Sequence, residues 1–288
     1  MSFTRENIVG LLKDVASSGA TELHLKVPNR PLQRSPNGSL VPITHAPLTP
    51  RDTVDAVFAL CSLAGLELPV GQLHDQEFAF GLKGVGRFRV YVYKQRGSLA
   101  AVVQRKRVEL PTLSELGMTP EQTGVVGTKG ITILCGARRA EAFAVSVADY
   151  NARARGHVWT LESPIEWLHR DGMASIAQRE VGVDVPDYET GIRQAMRLGV
   201  DVLAIDQVPD LRTAEAILNA AERGVPTVIS IPAPTVAEAR WWIARHFAGE
   251  HREDAIRRID TLCHTIVAVP EEGPAIAWQP ESALRQVG

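Results

Sequence analysis

The 288-residue sequence predicts an α/β protein in two parts. The first is a small α+β domain around an antiparallel sheet. The second is a larger domain with a mostly parallel sheet. Three observations carry this reading. Up to about residue 107, strand-like stretches follow one another through short turns, with only two helical patterns among them. From Ile131 onward, short apolar strands alternate with helical patterns, as in parallel sheets covered by helices. Hydrophobic content of 45% with 22% charge is that of a globular chain able to bury a core.

Each element has a local reason. Ile8, Leu11, Leu12 and Val15 share one helical face, and Gly19 closes that helix. "TELHLKV" alternates as a strand should. "LQRSPNGSLVPI" reads as a hairpin, with Asn37-Gly38 suited to the positive φ angles of a tight turn. Thr49-Pro50-Arg51-Asp52 opens a second helix with a capping threonine, a proline in the first turn and an acid after it. "EFAFGL", "GRFRVYVYKQR" and "GSLAAVVQRKR" follow as strands, and "VELPTLSELGMTPEQTGVVGTKG" reads as a linker. Beyond it, strands are expected at "ITILC", "HVWTLE", "DVLAID", "PTVISI" and "TIVAV". Helices are expected over about 139–153, 187–198, 210–223 and 235–247.

Composition narrows the function. A net charge of −2 argues against generic nucleic-acid binding, which needs a basic surface. No apolar stretch reaches the roughly 18–20 residues of a membrane span, and the N-terminus lacks the unbroken apolar region of a signal peptide. Cys61, Cys135 and Cys263 share no ligand spacing, so buried thiols in a reducing cytoplasm are expected rather than zinc or disulfides.

In a parallel α/β sheet, ligands bind beyond the carboxyl ends of the strands. Four such ends can be read. "CGARRAEAF" offers one glycine, Gly136, then Arg138 and Arg139 at a helix N-terminus, where an anion is favoured. It lacks the lysine and hydroxyl of a GxxxxGK[ST] phosphate loop, so a full phosphate grip is not expected. "TLESPIEWLHRDG" places Glu162 just past a strand and Glu166 four residues later, where acids could orient water or a hydrated cation. "DVLAIDQVPD" ends a strand in Asp206, either an acid at a cation or a turn residue. Gln207 follows, and its amide cannot act as a general base. "VISIPAPTVAEA" puts Pro232 and Pro234 in a loop without acid, base or amide. Elsewhere, Arg87 and Arg89 share a period-2 face of one strand, with Arg96 joining them by a slip at the strand's end, as an exposed polar face or a phosphate-reaching or interface patch. Trp241 and Trp242 diverge by about 100° on a helix, so one of them is a candidate partner contact.

These segments, in this order, resemble the PilT family of type IV pilus retraction ATPases, within the bacterial secretion-ATPase superfamily. The resemblance runs through "LLKDVASSGATELHL", "GRFRVYVYKQRGSLAAVVQRKRVELPTLSELGM", "TLESPIEWLH", "AQREVG" and "DLRTAEAILNAAERG", and covers about residues 8–270. It implies a PAS-like α+β domain over 1–107, a linker over 108–128 and a RecA-like domain with a degenerate P-loop over 129–288. "TLESPIEWLH" is similar to the family's acidic box, T-I-E-D-P-I-E, with Glu162 and Glu166 kept and Ser163 at the usual aspartate. The family's Walker A, G-P-T-G-S-G-K-S/T, aligns with "GARRAEA" only by deleting about two residues. Its Walker B glutamate corresponds to Gln207, and the histidine of its T-L-H-T box to Pro232.

What the resemblance implies is therefore an ATPase fold whose chemistry has been removed. Gly136, Arg138, Arg139, Glu162, Glu166, Gln207 and Pro232 form a vestigial nucleotide site without catalytic residues or a metal. Arg87, Arg89 and Arg96 are the inter-subunit or phosphate-reaching arginines. ATP and Mg²⁺ are the family's cofactors, and none is expected here. The expected function is a pseudo-ATPase, a regulatory or structural subunit of a type IV pilus motor in twitching motility. The alternatives are a weak ATPase powering retraction with residual nucleotide binding, and a purely structural protein at the pilus base. Expected partners are further copies in a hexamer-like ring, an active pilus ATPase and the inner-membrane pilus platform, with no nucleic acid. The expected location is cytoplasmic or peripheral at the inner face of the cytoplasmic membrane.

Overall fold

The computed structural model describes residues 3–43, 46–67, 69–106 and 109–278. The chain divides into two compact units, Met1–Glu109 and Leu110–Gly288.

In the first unit, helix α1 (Arg5–Ser17) starts where the Thr4 hydroxyl accepts from Asn7 N, and it buries Ile8, Leu11, Leu12 and Val15. Helix α2 (Pro50–Leu63) starts with a reciprocal capping box between Thr49 and Asp52. The strands are β1 (Glu22–Leu25), β2 (Leu32–Arg34), β3 (Leu40–Pro42), β4 (Gln76–Leu82), β5 (Gly86–Gln95) and β6 (Ser98–Lys106). They form an antiparallel sheet in the order β3-β2-β1-β6-β5-β4. Leu23, Leu25, Phe88, Val90, Val92 and Val103 share one core with Ile8, Leu12 and Leu60 from the helices. Alternation along β5 then puts Arg87, Arg89, Tyr91 and Tyr93 on the other face.

Two turns differ from expectation. Ser35–Ser39 form a wider loop in which Gly38 alone has positive φ, since Asn37 turns its side chain to accept from Ser39 N. The two-residue hairpin turn is Arg96-Gly97 between β5 and β6, with φ of 50° and 78°. Arg96 is thus a turn residue and leaves the strand face shared by Arg87 and Arg89.

The second unit carries strands β7 (Ile131–Cys135), β8 (His157–Glu162), β9 (Ser175–Glu180), β10 (Val202–Ile205), β11 (Thr227–Ser230), β12 (Cys263–Ala268) and β13 (Ile276–Trp278). Their order is β13-β12-β7-β11-β10-β8-β9. All pairings are parallel except that of β12 with β13. Helices α3 (Pro120–Gly124), α4 (Arg139–Arg153), α5 (Tyr188–Leu198), α6 (Leu211–Glu222), α7 (Val236–Trp242) and α8 (Glu250–Leu262) complete it. Both faces of the sheet are covered, which is why β7 reads as an unbroken apolar run. Ile131, Ile133 and Cys135 join the core of α5, α6 and α8, through Ile192, Ile217 and Ile259. Leu134 joins the core of α4, through Phe143 and Val147.

The stretch expected as a linker is packed from Leu110 onward. Leu116, Met118 and Val126 are buried in the α4 core, and Arg153 donates to the carbonyls of Thr123 and Val126 at 3.1 and 2.9 Å. Residues 107 and 108, at the expected boundary, lie outside the described residues. The sequence reading also passed over β9, β13 and α8. Helix α8 buries only Ala255 and Ile259, so its periodicity is thin, and β9 is a half-exposed polar edge strand. The three cysteines are free and buried, and burial pushes the Cys135 thiol up to about 12.

Candidate functional site

The strand ends of the second unit converge in pairs. The first pair joins the turn after β7 to the loop after β11. Gly136 has a φ of +93°, and a Cβ there would lie 2.3 Å from the carbonyl oxygen of Val269, just past β12. Only glycine fits so close an approach. The Gly136 N–H is donated to Ala233 O at 2.7 Å, and the Arg138 N–H to Val269 O at 3.1 Å. A phosphate-cradling loop works by leaving such N–H groups aimed at the anion. Here two of them are taken by the protein's own carbonyls. Pro232 is exposed on the loop after β11, beside the buried Ala233 that accepts the first of these bonds.

The side chains of this turn are engaged too. Arg138 meets Glu141 through Nε at 2.6 Å and a second nitrogen at 3.2 Å, and donates to Glu115 O at 2.5 Å. The hydrogen bond it donates to Glu141 raises the Arg138 pKa against the opposing effect of burial, with Glu141, Glu271 and Glu115 supplying a negative field. Three acids around one guanidinium leave little attraction for a further anion. Arg139, the first residue of α4, is half-buried, and its Nε has no hydrogen-bond partner among the described residues.

The second pair joins the loop after β8 to the end of β10. Asp206 is partly buried. One carboxyl oxygen accepts from Ser163 N at 2.7 Å and the other lies 2.5 Å from the Tyr188 hydroxyl. Gln207 donates from Nε2 to that hydroxyl at 2.8 Å. Loss of hydration pushes the Asp206 carboxyl up to about 8, the bonds from Tyr188 and Ser163 oppose this, and the neighbouring Glu162 and Glu166 add to it. Burial pushes the Tyr188 hydroxyl far above its ordinary range. Glu162, 6% exposed, accepts from Thr160 at 2.6 Å and Gln178 at 2.9 Å.

Sequence reasoning found Gly136, Arg138, Glu162, Asp206 and Gln207, and the fold brings them together in the two pairs just described. It gave no role to their partners Tyr188 and Val269, nor to Gln178 and Glu141, although these two lie within the quoted "AQREVG" and "GARRAEA". Arg89 belongs to the first unit, where it pairs with Glu77 and lies over the Tyr91 ring, 5.1 Å from its centroid. Of the tryptophans, Trp241 is 50% exposed, whereas Trp242 packs on the core under the Arg245 guanidinium at 3.7 Å.

Chemically, this arrangement braces itself. Both Asp206 carboxyl oxygens are bonded, and the Gln207 amide, which cannot act as a general base, is spent on Tyr188. Among the described residues, no group of three or more His, Cys, Asp or Glu could hold a metal ion, and no helix is long and apolar enough to cross a membrane.

No protein-family model matches the chain. It is similar to the type IV pilus ATPase PilU of Pseudomonas aeruginosa, with 28% identity over 262 residues, covering 90% of this chain and 68% of that protein. It is also similar to the type IV pilus retraction ATPase PilT of the same organism, with 28% identity over 225 residues, covering 76% of this chain and 64% of that protein. The chain thus spans about two thirds of the length of these curated relatives. Among solved structures, the pilus retraction motor PilT with bound ADP matches at a TM-score of 0.80 and 25% identity, over 97% of this chain and 85% of that one. The Legionella pneumophila ATPase DotB shares the fold at a TM-score of 0.83 and 20% identity, over all of this chain and 84% of that one. Over most of its length the chain is thus similar, in sequence and in fold, to type IV pilus ATPases.

Proposed function

We propose that this chain is a PilT-like pseudo-ATPase, a non-catalytic regulatory or structural subunit of a type IV pilus motor in twitching motility. The reading rests on one observation above the others: the turn at the phosphate-loop position is closed. Its Gly136 and Arg138 amides are donated to Ala233 and Val269, and its Arg138 side chain to Glu141 and Glu115. Phosphoryl transfer depends on positioned donors and charge stabilisation, so a loop that has two of its N–H groups turned to protein carbonyls and lacks the lysine and magnesium-binding hydroxyl loses most of its rate. Gly136, Arg138, Arg139, Glu162, Glu166, Gln207 and Pro232 are then the remains of a nucleotide site that has become structural. The partners of this reading are further copies in a ring or an active pilus ATPase, working on the cytoplasmic side of the inner-membrane pilus platform.

Calorimetric titration of the purified chain with MgATP, beside a phosphate-release assay, tests the loss of chemistry. Neither heat of binding nor turnover is expected. Micromolar binding with turnover that disappears on Arg138→Ala or Arg139→Ala would overturn the proposal. Mixing the chain with the active pilus ATPase of the same cell tests the motor role: co-elution or a changed hydrolysis rate is expected, and the absence of both counts against it.

A further inference from the structure

Three segments far apart in the chain meet around Arg138. The first, Thr112–Met118, is where the chain enters the second unit. There the Glu115 carboxylate accepts from Thr112 N at 2.7 Å and from the Thr112 hydroxyl at 3.0 Å, so the segment is internally fixed. The second is the turn Gly136–Glu141. The third, Val269–Ala275, joins β12 to β13.

Each pair of these segments is bonded. Arg138 donates its guanidinium to Glu115 O at 2.5 Å, which ties the second to the first. Its backbone N–H goes to Val269 O at 3.1 Å, which ties the second to the third. Ala275 N donates to Gly117 O at 2.9 Å, which ties the third back to the first, and Gln122 Nε2 of the following helix α3 donates to Ala275 O at 3.3 Å. The approach of first and third is close. Gly117 has a φ of +62°, and a Cβ on it would lie 2.5 Å from Gly273 O and 2.8 Å from the Pro274 Cα. Glu141, bidentate on Arg138, fixes the side chain that makes one of the three bonds, and the backbone of the same residue makes a second.

We propose that this closed circuit is a clasp, with Arg138 its keystone, that holds the entry segment Thr112–Met118 and the β12–β13 connection in one arrangement whether or not a ligand is present. A loop that gripped phosphate would release or reposition such an arginine with each ligand event. Here the cation is bound to the protein's own carbonyl and carboxylate, so the entry segment receives no signal from the strand ends. The proposal rests on the same closed turn as the functional reading, but its test involves no nucleotide, so the two fail separately.

The test is amide-resolved hydrogen exchange on the full chain, wild type against Arg138→Met. The stem of the side chain stays while the guanidinium goes. Removing the charge-assisted bond to the Glu115 carbonyl should lower protection by about tenfold. The clasp requires that loss at Leu116–Met118 and also at Ala275, whose own bond is to Gly117 rather than to Arg138. Loss confined to residues 136–142, with Ala275 at wild-type protection, would overturn it. If Arg138→Met does not fold, Arg138→Lys serves, because an ammonium cannot reach Glu141 bidentately and Glu115 O together. A smaller loss at both distant places is then expected, and wild-type protection at both refutes the clasp.

Discussion

Replacing Asp206 by asparagine tests whether the carboxyl between Ser163 and Tyr188 is neutral in the folded protein. A protonated carboxyl keeps one oxygen as acceptor for Ser163 N and sets its hydroxyl against the Tyr188 oxygen, reversing the bond that Tyr188 donates to the carboxylate. Asparagine reproduces both with its amide, so Asp206→Asn copies the protonated form and removes the titration. Desolvation, against the bonds from Tyr188 and Ser163, raises this group from 3.8 to about 8. Between those values the folded state holds a proton that the unfolded state has lost. The contribution to stability is therefore complete below pH 3.8, falls as pH rises, and is gone once pH passes about 8. At about 1.4 kcal/mol per pH unit the whole loss is on the order of 5 kcal/mol, and solvent screening at a partly buried residue brings it toward about 3 kcal/mol. Tyr188 does not titrate in this window. The assay is urea unfolding of both proteins from pH 5 to 9.5. The ratio of wild-type to variant folding constants should fall by up to about tenfold per pH unit from pH 5 to 7.5 and level off above pH 8.5. A constant ratio throughout would refute the neutral carboxyl.

Gly136→Ala should cost more than about 3 kcal/mol in urea unfolding, because its Cβ would meet Val269 O at 2.3 Å in a backbone conformation that resists any side chain. A cost below about 1 kcal/mol would mean that the turn is not closed against β12. The paired tryptophans should separate by burial. Trp242→Ala is expected to cost about 2 kcal/mol or more for the lost core packing and Arg245 stacking, and Trp241→Ala less than about 1 kcal/mol. Equal melting temperatures for the two variants would contradict the orientation of α7.

The sequence by itself determined the two-part α/β plan, because periodicity and caps are local. Ile8, Leu11, Leu12 and Val15 could share a face only on a helix, and the Thr49–Asp52 box could only open one. It also determined what the strand ends lack, since a missing lysine or hydroxyl needs no coordinates to be noticed. Weakly patterned elements escaped it: α8 buries two side chains, and β9, among the described residues, pairs only with β8 at the sheet edge. Arg96 was misplaced because a hairpin turn that fits a non-glycine residue at φ 50° leaves no mark in the alternation. Only the tertiary structure decided what the surviving polar residues do. Arg138 could have held an anion or lain in solvent, and it became a clamp because Glu115 and Val269 converge on it from two distant segments while Glu141 of its own turn fixes its side chain. Asp206 could have been a ligand or a turn residue, and it became a brace because Tyr188 and Ser163 come to its carboxyl. Such roles are set by partners distant in the chain, and no local pattern in one sequence records them.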